Sequence, residues 1–100
     1  MPAYWIARSK INDAVEYKRY TDLVPDIVRA HQGHILARGG DFEILEGPRK
    51  FERFVVIEFP TLALARACHD SPAYQQAAKF RKAGGAGEVE LVIVEGAPVS

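Results

Sequence analysis

Glu58 stands inside an otherwise apolar run, Phe54-Val55-Val56-Ile57-Glu58-Phe59. Side chains of a strand alternate between its two faces. Val55, Ile57 and Phe59 then form one wholly apolar face suited to helices, and Glu58 shares the other with Phe54 and Val56. His34, Leu36 and Arg38 alternate in the same way and share a face of an earlier stretch. An acid beside a histidine or guanidinium in a partly apolar cavity acquires a shifted pKa and can move protons. The same residues also read as a buried ion pair that only holds the sheet or an interface. The arginines expected to pair with Glu58 are Arg38 and Arg8, which both end strands.

Other residues could line a small-molecule site. Tyr74 and Arg81 are seven apart and share a face of an unbroken helix, where they could wall a cavity and hold an anion. The plainer reading packs Tyr74 on the sheet and leaves Arg81 in water. Trp5, Tyr20 and Phe54 complete the expected lining, since such sites are mostly apolar with a few polar groups. His31 and His34 are separated by a helix end at Gly33, and His69 is the only other histidine, so no metal site is expected. Gly39-Gly40 and Gly84-Gly85-Ala86-Gly87 lack phosphate-loop spacing and read as turns. Cys68 has no neighbouring cation to make it nucleophilic. No cofactor is expected.

These residues need elements to place them. β-formers at Tyr4, Trp5 and Ile6 predict a strand over 3–10. Asp13 and Glu16 have capping-box spacing, and Tyr17, Tyr20, Val24, Ile27 and His31 recur at helical intervals, which predicts a helix to about residue 31. Pro25 should kink or break it near Val24, and Gly33 should end it in a left-handed cap. A strand over 34–38 follows, bent at Gly39-Gly40. A short strand is expected over 42–46 and a turn at Gly47-Pro48. A strand over 51–59 ends at Pro60. Thr61 caps a helix over 62–69, and Ser71-Pro72 starts another to about residue 82. The last strand covers 88–95, and a loop is expected over 96–100.

At 100 residues the chain has the size of one domain, and one domain over 1–100 is expected. Thirteen basic and thirteen acidic residues leave no net charge. Nucleic-acid binding is therefore not expected, because phosphate neutralisation needs a basic excess. No apolar run approaches the roughly 20 residues of a membrane span, so no membrane partner is expected. One cysteine permits no internal disulfide and fits a reducing, cytoplasmic setting.

The order β-α-β-β-α-β is the split βαβ, ferredoxin-like arrangement: an α+β fold with a four-stranded antiparallel sheet and helices on one face. The strands around Val56 and Val92 are apolar on both faces. Helices cover one face, and a second copy of the sheet can cover the other. The expected partner is therefore the chain itself, in a homodimer.

Tyr17 and Tyr20, Arg38-Gly39-Gly40, Glu46-Gly47, Glu58-Phe59-Pro60, Ser71-Pro72 with Tyr74, Arg81, and Glu95-Gly96 occur in that order. This set resembles the family called domain of unknown function 1330. The resemblance covers nearly the whole chain and implies the dimeric α/β-barrel superfamily, in which two ferredoxin-like sheets pack face to face. Relatives there include cofactor-free monooxygenases, haem-handling proteins and stress-response proteins. The chain departs from the pattern at Cys68 and His69, where aromatic residues are common, and at Ala73, where an acid often follows Pro72. A pocket wall there would be less aromatic and less acidic. Three readings stand: a homodimer binding a small organic molecule in a barrel or sheet–helix cavity, a non-catalytic structural or interaction dimer, and a cofactor-free monooxygenase-like enzyme. Whether the chain is an enzyme at all is open at this point.

Overall fold

The computed structural model describes residues 1–98; residues 99–100, the end of the expected terminal loop, lie outside the described part. Four strands, β1 (Ala3–Ile11), β2 (His34–Arg38), β3 (Arg53–Phe59) and β4 (Gly87–Glu95), form one antiparallel sheet in the order β2-β3-β1-β4. Helices α1 (Ala14–Ala30), α2 (Leu62–Asp70) and α3 (Pro72–Lys82) complete an α+β fold, with a short 3-10 turn at Ala83–Gly85. The predicted element order therefore holds, as do the helices on one face.

The caps explain where the helices begin. The Asp13 carboxylate accepts from the amides of Val15 and Glu16 at 3.1 and 3.2 Å, satisfying donors that the first turn leaves free. The reciprocal arm of the capping box does not form, because Glu16 turns to Arg19 instead. Thr61 and Ser71 cap α2 and α3 as expected, with Pro72 in the first turn of α3.

Three local expectations are corrected. Pro25 does not break α1, which continues to Ala30. Tyr17 and Tyr20 before it and Val28 after it are buried on one stripe, so packing holds both halves in line despite one lost hydrogen bond. The left-handed residue at the end of α1 is Gln32, at φ 64°, not Gly33. Gln32 N–H donates to Arg29 O and Gly33 N–H to Val28 O, a Schellman ending. Gly33 is needed for space instead: a Cβ there would stand 2.6 Å from Val28 Cγ1 and 2.7 Å from Phe59 Cε1. Finally, no strand forms over 42–46. Gly39 and Gly47 bracket that stretch with positive φ, and Phe42 packs on the Phe54 ring at 4.9 Å rather than extending a ladder.

The core lies between sheet and helices. Trp5 from β1, Ile57 and Phe59 from β3, Tyr17, Tyr20 and Val28 from α1, Cys68 from α2 and Tyr74 from α3 meet there. Gly87 lets the Tyr17 ring lie against the start of β4, where a Cβ would come within 2.5 Å of it.

Candidate functional site

Strand pairing arranges the open face of the sheet in rows. His34 faces Glu58 across β2 and β3, Glu58 faces Tyr4 across β3 and β1, and Tyr4 faces Val94 across β1 and β4. Directly opposed side chains share a face with Cβ atoms about 5 Å apart. The next row is apolar: Val56, Ile6 and Val92. The third holds Phe54, Arg8 and Glu90. Ile6 and Val92 are 43% and 59% exposed, so no described segment covers the middle of this face. A shallow cavity of about 360 Å³ lies over Ile6, Arg8, Phe54, Val56, Glu90 and Val92. The segment 39–52 borders it and forms a second hollow of about 400 Å³ with Arg8, Ile44, Phe51 and Phe54.

Glu58 does point away from the helices, but its partner is not an arginine. The Tyr4 hydroxyl donates to Glu58 Oε2 at 3.2 Å. That bond, then desolvation and the neighbouring negative charge, raise the Tyr4 phenol above its ordinary pKa, so it remains a neutral donor. Arg8 is taken by Glu90, at 2.7 Å, and its guanidinium also stands 4.4 Å over the Phe51 ring. Arg38 is out of reach for a geometric reason. A bulge between Ile35 and Ala37 shifts the register, so Arg38 faces Val55, a helix-side residue, at the far end of β3. His34 and Arg38, expected on one face, are on opposite faces.

Trp5, Tyr20, Tyr74 and Arg81 come together in the solid core rather than around a cavity. The Tyr20 and Tyr74 hydroxyls share a hydrogen bond of 2.8 Å, and an Arg81 N–H donates to the Tyr74 hydroxyl at 3.3 Å. Arg81 is only 7% exposed, against the solvated alternative, and its guanidinium lies 5.2 Å from the Tyr20 ring centre. Aromatic faces and phenol oxygens stabilise this cation in place of a carboxylate. Burial, joined by the neighbouring Tyr74, pushes the Tyr20 phenol well above its ordinary value, so it stays neutral.

His31 and His69 take local partners. His31 Nδ1 sits 2.9 Å from Ile27 O. His69 stacks near Trp5 and Tyr74 and meets Asp70, whose carboxyl it and Arg66 hold below the usual range. Among the described residues no three metal-ligating side chains gather. Burial pushes the Cys68 thiol up to about 11, which disfavours a thiolate. No helix among the described residues is long and apolar enough to cross a membrane.

Two residues of interest escape the sequence reading. Tyr4 was legible in principle: if Trp5 faces the core, its neighbour faces the other way. Arg53 alternates with Val55 and so belongs to the helix side, where it stands beside Tyr17.

Comparison with solved structures supports the fold. A protein of unknown function from Rhodopseudomonas palustris superposes with a TM-score of 0.76 at 17% identity, over 98% of this chain and 84% of that one. A dimeric protein of unknown function with a ferredoxin-like fold, from Bacteroides fragilis, gives 0.64 at 15% identity, over 94% and 95%. SnoaB, a cofactor-independent oxygenase from Streptomyces nogalater, gives 0.65 at 12% identity, over 98% and 95%. At such identities the likeness is one of fold alone. Among curated proteins none matches this sequence. The family model of DUF1330, a domain of unknown function, matches residues 2–97, and the chain belongs to that family.

Proposed function

We propose that this chain works as a homodimer, closed by the open faces of two sheets, that binds a small organic molecule against the row His34, Glu58 and Tyr4. One observation carries the reading: an uncovered apolar centre, Ile6 and Val92, lies directly beside a polar row in which Glu58 accepts from Tyr4. Exposed apolar surface of this kind marks an interface, and covering it with a second copy turns the polar row into the wall of an enclosed chamber. The dimeric neighbour from Bacteroides fragilis supports that occupant. A planar apolar molecule with one hydroxyl suits the chamber: Ile6, Val56 and Phe54 contact its body, while Glu58 or His34 accepts its proton. A reducing, cytoplasmic setting belongs to the same reading.

The non-catalytic dimer is favoured by a different observation. The tyrosine–arginine cluster on the helix side is packed shut, so one of the two expected cavities is filled. The oxygenase reading rests on the fold of neighbours such as SnoaB and has no reacting group assigned to it.

Sedimentation at micromolar concentration tests the assembly. The dimer should bury more than about 1,000 Å² in total, and Val92→Asp should yield a monomer. A stable wild-type monomer overturns the assembly. Titration with 2-naphthol, followed by its fluorescence, tests the chamber. Binding weakened about fivefold or more by Glu58→Gln and Tyr4→Phe is expected for lost charge-assisted hydrogen bonds. A wild-type dimer that binds no naphthol favours the non-catalytic reading.

A further inference from the structure

A second candidate site lies on the opposite side of the sheet, between α1 and the ends of β2 and β3. It is a cleft of about 520 Å³. Ile11, Ala14, Tyr17 and Pro25 supply its apolar wall, and Lys18, Asp22, Arg38 and Arg53 its charges. The volume lies within the range of small-molecule sites. We infer that this cleft binds a small organic carboxylate, its charged end held by Arg38 and Arg53 and its carbon body laid on Pro25, Ile11 and Tyr17.

Charge balance motivates the inference. The chain as a whole is neutral, yet the cleft has three cations against one carboxylate. That carboxylate, Asp22, is already engaged by Lys18 Nζ at 2.9 Å, one turn along α1. Among the described residues Arg8, Arg19, Arg29 and Arg66 make ion pairs, and of the four arginines that make none, Arg38, Arg49, Arg53 and Arg81, it is Arg38 and Arg53 that line this cleft. Two guanidiniums that line one cleft without a carboxylate partner are a standing attraction for an anion, and their planar forks match a carboxylate.

The fold holds the pair in position. The bulge in β2 turns Arg38 to this face. Gly39 follows with φ 66°, and its amide donates to Phe54 O, which fastens the turn to β3. The left-handed φ is what calls for glycine at 39, since a Cβ there would make only ordinary contact with Arg53, 3.4 Å from its Nε. Below it, Arg53 Nη1 stands 3.5 Å from the Tyr17 hydroxyl, which in turn donates to the buried Ser9 at 2.9 Å. The arginine therefore rests on a phenol that is itself anchored in the core. The pairing of an apolar wall with two cations selects a carboxylate on a hydrocarbon body over a bare inorganic anion.

Calorimetric titration of the full chain with benzoate, benzamide and inorganic phosphate tests this. Benzoate should bind, and benzamide, which keeps the ring but not the charge, should bind about tenfold more weakly, as expected for lost charge-assisted hydrogen bonds. Arg53→Gln and Arg38→Gln should each weaken benzoate about fivefold or more, with Arg53→Lys intermediate because it keeps charge but loses the fork. Glu58→Gln should leave benzoate binding unchanged, and Arg53→Gln should leave 2-naphthol binding unchanged, which separates this site from the open face. Equal binding of benzoate and benzamide, phosphate binding as tight as benzoate, or benzoate binding indifferent to both arginine substitutions would overturn the inference.

Discussion

Trp5 and Ile6 are neighbours in β1, yet Trp5 is 2% exposed and Ile6 is 43% exposed. The difference belongs to the two faces of the sheet. On the helix side, Trp5 stands 5.0 Å from the Tyr74 ring and 6.2 Å from Phe59, and even the polar groups there, Tyr20, Tyr74 and Arg81, are sealed in. On the other side, equally apolar residues lie beside Glu58, Tyr4 and His34 with nothing from the described chain above them. The contrast separates stability from function. The packed aromatic centre of the helix side supplies folding energy and leaves no room for a ligand, and space remains on that side only at its margin, in the cleft beside Arg38 and Arg53. An open apolar face contributes little to the monomer and is where a partner or ligand has something to gain.

The sharpest way to break this contrast is to hollow the closed face. Tyr74→Ala should cost about 3–5 kcal/mol in urea denaturation, through lost contacts, a cavity and the stranded Arg81 cation. A loss below about 1 kcal/mol would mean that the cluster is not the core. Crowding the same face should also be costly. Gly33→Ala places a methyl against Val28 and Phe59 and should destabilise by about 1–3 kcal/mol. Gly40→Ala, with nothing within 4 Å of its Cβ, serves as the control and should show little change by thermal melting.

The open face calls for a measurement that depends on concentration. If a second copy covers it, Ile6→Ala should cost about 2–5 kcal/mol, as in a core, and wild-type melting should rise with protein concentration. If the face stays wet, the change should be within about 0.5 kcal/mol and melting should ignore concentration. The smallest effect is a titration. The folded-state pKa of Tyr4 is raised by its bond to Glu58, so the fold favours the protonated phenol. That contribution is present below the ordinary phenol value of about 10 and is lost as pH rises through the raised value. Nuclear magnetic resonance of the Tyr4 ring should follow this late ionisation, and Glu58→Gln should bring it back toward the ordinary value. An unmoved Tyr4 midpoint would remove the pair from the polar row.

Amino-acid order alone determined what depends on local periodicity and capping. Alternation in 54–59 assigned Ile57 and Phe59 to the helices and Glu58 to the other face, because a strand side chain can go only up or down. Asp13, Thr61 and Ser71 marked three helix starts, because a cap answers to amides within three residues of it. The tertiary structure alone decided what depends on register and on long-range burial. The bulge after Ile35 reversed the face of Arg38, a shift of one residue that composition does not record. It separated Arg38 from His34 and placed it in the cleft that Arg53 also lines, while Tyr4, from a strand more than fifty residues away, became the partner of Glu58. Pro25 remained helical, and Tyr20, Tyr74 and Arg81 closed into a core, because packing across the whole domain outweighs the preference of any single residue.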